Sequence, residues 1–138
     1  MKNPCLLGIV VLLSACNSSE LAVEAKDAAQ NCESHFAKSV QPELDYCRTC
    51  HVPGGVSDVP EGQRFMLREE PAEDYARLRN SWETLGRNDN GPSPILTMSS
   101  GTDARAHSGG DPWPTDSEAY KAMELQLQGF EDPQTCPG

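Results

Sequence analysis

The chain has 138 residues, with 11 basic against 21 acidic side chains and a formal charge of −10 at pH 7, which is the size of one domain and the balance of a folded protein rather than a disordered one. So acidic a surface argues against nucleic acid or anionic lipid as a partner, and leaves two uses for the charge: keeping the domain in solution, or meeting a protein with a basic surface. Six cysteines are many for this length, and most of the function turns on assigning them.

The chain opens as an export signal. Lys2 precedes an apolar run from Cys5 to Leu13, followed by the small residues Ser14 and Ala15; the run is too short to span a bilayer. Leu13-Ser14-Ala15-Cys16 resembles the lipobox of bacterial lipoproteins. The resemblance implies a diacylglyceryl group on Cys16, cleavage just before it, and a mature chain anchored to a membrane through lipid. Losing residues 1–15 also removes Lys2, so the mature protein is one unit more negative. Asn17 and Ser18 stand where an inner-membrane lipoprotein often carries aspartate, which points to the outer membrane of a two-membrane host, with the periplasmic face as the alternative. Residues 16–30 are small and polar without a strong apolar face, and read as a flexible tether to a domain spanning 31–138.

Cys32 stands at the head of that domain. Phe36, Val40 and Leu44 then repeat at helical spacing, with Pro42 expected to break the helix between them. They lead into Cys47-Arg48-Thr49-Cys50-His51. Two cysteines three positions apart on a helical turn present both sulfurs to one side, where they can form thioethers with the two vinyl groups of a haem; the adjacent histidine then reaches the iron. A zinc site would want a second ligand pair, for which His35 and His107 are a poor substitute. A redox dithiol would want a βαβ context, and the chain has no convincing strand.

A Gly/Pro loop, 52–62, follows the motif. Tyr75, Leu78, Trp82 and Leu85 mark an amphipathic helix opened by Pro71 and by Glu73 and Asp74 in its first turn. Residues 86–115, rich in Gly, Pro, Asn and Ser, read as a long irregular stretch. Ser117 then caps a last helix whose apolar face is Tyr120, Met123, Leu127 and Phe130. Cys136 lies two residues from the end. With Cys5 lost with the signal, Cys16 lipidated and Cys47 and Cys50 on haem, Cys32 and Cys136 remain. In an oxidising compartment they are expected to form a disulfide stapling the ends of the domain.

This order resembles a cytochrome c: a helix into CxxCH, a middle helix, a loop carrying the distal ligand, and a last helix crossing the first. Residues 31–132 are similar to small bacterial cytochrome c domains related to the planctomycete type. Gly54-Gly55, Arg64-Phe65-Met66-Leu67, Asp74-Tyr75 with Leu78, Ser93-Pro94-Ile95-Leu96, His107-Ser108-Gly109-Gly110, Ser117 and Tyr120 carry the likeness. Ser108 replaces a glycine of that pattern, and its tryptophan-isoleucine near the end of the last helix is missing. The resemblance implies a mainly α, small cytochrome c fold, three or more helices around one covalent haem c, with long irregular loops.

His51 is the expected proximal ligand. For the sixth position the resemblance implies His107, with Met98 as the alternative from the same stretch; Met66 and Met123 read as core, and His35 as a surface or haem-edge residue. The function expected is single-electron transfer between redox proteins, with a basic partner surface and no catalytic residue beyond the haem ligands. The alternative is a haem enzyme subunit of peroxidase type, or a haem-based sensor, with a displaceable sixth ligand.

Overall fold

The structure, a computed structural model, describes residues 18–60, 65–85, 92–105 and 107–138. The residues expected to form an export signal, Cys16 and Arg64 lie outside them. The fold is mainly helical, and no strand occurs among the described residues. Helix α1 runs Ser18–His35 and continues without interruption through a π turn, Phe36–Val40, and a 3-10 turn, Gln41–Glu43, into α2, Leu44–Arg48. A 3-10 turn (Pro71–Glu73) and helices α3 (Asp74–Leu85), α4 (Pro94–Ser99) and α5 (Glu118–Glu131) follow, and a 3-10 turn, Pro133–Thr135, is the last element.

Pro42 bends this first helical run without breaking it. A proline has no N–H to donate, and in a regular helix its ring would strike the carbonyl four residues back, that of Lys38. The chain widens to a π turn, with Gln41 N–H bonded to Phe36 O. It then tightens to a 3-10 turn whose early position Pro42 fills. Phe36, Val40 and Leu44 all stay buried on the inner side.

The tether expected over 16–30 differs in the same way. Residues 18–30 belong to α1, because Glu, Leu, Ala, Lys and Gln are good helix formers even where no apolar face asks for a helix. Residues 20–27 of that helix are exposed, and Ala28 is buried. No helix among the described residues is long and apolar enough to cross a membrane.

The core gathers Phe36, Val40 and Leu44 with Leu67, Leu78, Ile95, Leu96, Trp113, Met123 and Leu127. Each large apolar side chain so enclosed contributes about 1.5–3 kcal/mol. Phe36 meets Tyr75 edge to face at 5.4 Å, and Phe130 lies 5.7 Å from Tyr75 and 6.5 Å from Trp82. These contacts lock the first helical run, α3 and α5 together. Helix α5 starts where expected, its Ser117 hydroxyl accepting from Tyr120 N–H at 3.1 Å. Helix α4 is an addition inside the stretch read as irregular. Ser93 caps it through Ile95 N–H, Pro94 opens it, and Ile95 and Leu96 turn into the core.

Cys32 and Cys136 form the expected pair. Their Cα atoms are 5.0 Å apart across 104 residues of chain, and both side chains are buried. Gly129 of α5 lies against them: a β-carbon there would collide with Cys136 Sγ and come within 2.9 Å of Cys32 Sγ. Closing so long a loop stabilises nominally by about 4–5 kcal/mol in the chain-entropy model. Reduction is expected to lower stability by about 2–4 kcal/mol in a denaturant titration. A reduced protein as stable as the oxidised one would mean that the pair carries no such constraint.

Candidate functional site

The CRTCH turn forms because α2 ends inside it. Cys50 and His51 both donate to Cys47 O, at 3.1 and 2.9 Å, so one helical turn holds the two sulfurs and the histidine together. The chain then folds back beneath the histidine. Ser57 N–H bonds Cys50 O at 3.1 Å and Leu67 N–H bonds His51 O at 2.8 Å. Gly55 permits this return: a β-carbon at that position would collide with Cys50 O and lie 2.9 Å from Val52 O.

A cavity of about 410 Å³ opens over this turn. Cys47, Cys50, His51 and Phe65 form one part of its wall, and Ile95, Met98, His107 and Trp113 another. Trp113 is 2 % exposed, and its backbone N–H donates to Ser99 O at 2.9 Å. The sequence reading passed over it, although an indole between two prolines in a polar stretch is costly to leave in water and was itself a signal.

The two histidines are held alike. His51 Nδ1 donates to Phe65 O at 2.8 Å and His107 Nδ1 donates to Gly110 O at 2.7 Å. Each bond orients its ring, sets the tautomer, and leaves Nε2 without a protein partner among the described residues. The ring centres are 6.2 Å apart with planes inclined by 28°. Two imidazoles on opposite sides of one metal atom, with bonds of about 2 Å, have ring centres on the order of 6 Å apart, a separation that the observed pair matches. Burial holds the His51 pKa below its ordinary value, with the hydrogen bond to Phe65 opposing and the nearby His107 adding to the shift. A lowered pKa favours the neutral ring, the form that binds metal.

Cys47 and Cys50 are half-buried and free. Burial pushes the Cys47 thiol up to about 11, against its own backbone hydrogen bond and Arg48, which both lower it. A redox dithiol needs the opposite, a thiol whose pKa is drawn down toward neutrality. No group of three or more His, Cys, Asp or Glu side chains arranged to hold a metal ion occurs among the described residues. No family model, curated protein or solved structure matches the chain. The site's geometry and the order of its residues therefore carry the functional reading.

The other candidates separate by position. Met98 reaches the cavity from α4 and is half-buried there. Met123 is 1 % exposed in the core, as expected of its helix face. Met66 and His35 do not line the cavity; His35 Nε2 instead lies 3.2 Å from Ala122 O and ties α1 to α5.

Arg48, inside the motif, has a role that no local pattern announces. Its guanidinium pairs with Asp74 at the start of α3 and donates to Arg68 O at 2.7 Å. Asp74 is fully buried, and also accepts from Arg68 N–H at 2.8 Å and Gln41 Nε2 at 3.1 Å. The turn that carries both cysteines is thereby pinned to the first helical run, to the segment after Phe65 and to α3.

Proposed function

We propose that this chain is a lipid-anchored c-type cytochrome that carries single electrons between redox proteins. The observation that carries the reading is the pair His51 and His107, 6.2 Å apart over the wall that holds Cys47 and Cys50, with both Nδ1 atoms committed to backbone carbonyls. Cys47 and Cys50 would attach haem c through thioethers, and His51 and His107 would hold the two axial positions. A haem bound there would supply a one-electron couple, with His51 and His107 as the residues that would hold its iron.

The residues around the site have complementary work. Phe65, Ile95 and Trp113 shield the cavity from water, which keeps its dielectric low and helps set the potential. The carbonyls of Phe65 and Gly110 hold the imidazoles in one orientation, so a change of charge asks little reorganisation of them. The helical arrangement supports a small cytochrome c fold, with α5 packed against the first helical run. The acidic surface suits a redox partner with a basic face, met at salt-dependent rates.

Cys47→Ser with Cys50→Ser is the direct test of attachment. The double variant should show no haem stain on a denaturing gel, where the wild type stains; retained stain removes the premise. The anchor is tested separately, because Cys16 lies outside the described residues. An azido-palmitate label should mark wild type and miss Cys16→Ser, and equal labelling would place the anchor elsewhere.

A further inference from the structure

The turn His107–Gly110 closes on itself. Gly110 N–H bonds His107 O at 2.9 Å, and His107 Nδ1 bonds Gly110 O at 2.7 Å. On either side the chain is moored to α4. Thr102 and Asp103 donate to Thr97 O at 3.0 and 3.1 Å, and Trp113 donates to Ser99 O. Arg105 bonds back to Asp103 through backbone and side chain, each at 2.9 Å. Among the described residues, one hydrogen bond ties the turn itself to α2, the part of the cavity wall that carries Cys47: Tyr46 donates from its hydroxyl to Gly109 O at 2.9 Å, across 63 residues of chain. Tyr46 stands on α2 beside Cys47, and its side chain lines the cavity although the residue is 59 % exposed.

We propose that Tyr46 is the positioning residue for the distal histidine, its hydroxyl holding the His107–Gly110 turn over the face that His51 approaches from the other side. The inference rests on the reading of His107 as an axial ligand. It assigns to a residue just outside the CxxCH motif the control of how often that ligand leaves its place. The two parts of the wall come from different segments of the chain, so without this bond the turn is held to the cavity only through its flanking moorings on α4. An ordinary hydrogen bond shifts such an equilibrium by about fivefold. Because the ring of Tyr46 is largely exposed, deleting its hydroxyl leaves no buried acceptor in an apolar surrounding, and the helical core is untouched.

The test uses the holoprotein. Tyr46→Phe should keep the wild-type absorption spectrum, since the ligated form still dominates, while carbon monoxide binding to the ferrous protein speeds up about fivefold. Amide exchange at Gly110 should accelerate by a similar factor. Asp45→Ala, an exposed change on the same turn of α2, should leave both rates at the wild-type value. Equal rates in Tyr46→Phe and wild type overturn the proposal, as does an acceleration that Asp45→Ala reproduces, which would belong to a general loosening of α2. His107→Ala separates the two levels of inference. If it alters the spectrum while Tyr46→Phe changes no rate, the ligand assignment stands and the role of Tyr46 falls. If it leaves the spectrum as in wild type, the ligand assignment fails and takes this proposal with it.

Discussion

Replacing His107 by alanine is expected to turn a low-spin haem protein into a high-spin one that binds carbon monoxide and has a shifted potential. The cause is the loss of the imidazole whose ring stands 6.2 Å from that of His51. Met98 lines the same cavity, but from α4, whose Ile95, Leu96 and Ser99 are buried and hold its backbone. Met98→Leu should accordingly leave the spectrum almost unchanged. His107→Met should restore a low-spin state at higher potential than wild type, since a thioether sulfur favours ferrous iron. If Met98→Leu gives the high-spin species and His107→Ala does not, the protein is a His/Met carrier. If both resemble wild type and wild type already binds carbon monoxide, electron transfer through a closed site is wrong, and the haem-enzyme or sensor reading replaces it.

Asp74→Ala is expected to cost about 3–5 kcal/mol of stability, the range for breaking a buried ion pair by removing one partner. Asp74 is fully buried and the Arg48 side chain is 17 % exposed, so the guanidinium left behind has little water to turn to. Asp74→Ala also leaves the Arg68 N–H and the Gln41 amide without their acceptor. Asp74→Asn keeps the shape and one acceptor oxygen, and should fall between alanine and wild type. Adding Arg48→Met to Asp74→Ala should recover part of the loss, because the unpaired charge is then gone. A denaturant titration reads all of these; an Asp74→Ala protein within about 1 kcal/mol of wild type would show that the pair does not anchor the motif turn.

The two histidines differed in how readily they could be found. His51 follows the second cysteine directly, so chain connectivity alone places it in the same helical turn. His107 lies 56 positions further on, and only its likeness to a motif brought it forward over Met98. Both reach the cavity, and what distinguishes His107 is the pairing of its ring with His51 and the carbonyl of Gly110 behind it. Arg48 and Asp74 were legible as motif residues but not as partners. A charge pair 26 residues apart leaves no periodicity, and it becomes a constraint only when the core around Phe36 and Leu78 excludes water from it.

Local chemistry was enough for the elements whose causes are local. The Ser117 cap and the apolar face of α5 follow from hydrogen bonding within one turn and from a repeat of 3.6 residues. The pairing of Cys32 with Cys136 followed from counting thiols under the expectation of an oxidising compartment. Three features needed the folded chain. The first helical run passes Pro42 because buried Phe36, Val40 and Leu44 are worth more than one regular turn. Residues 18–30 are helical through propensity that a search for an apolar face overlooks. The cavity exists because α4 and the residues after it bring Trp113 and His107 over a turn more than 50 residues earlier in the chain. Proximity between distant segments is a product of packing, and no spacing within a segment encodes it.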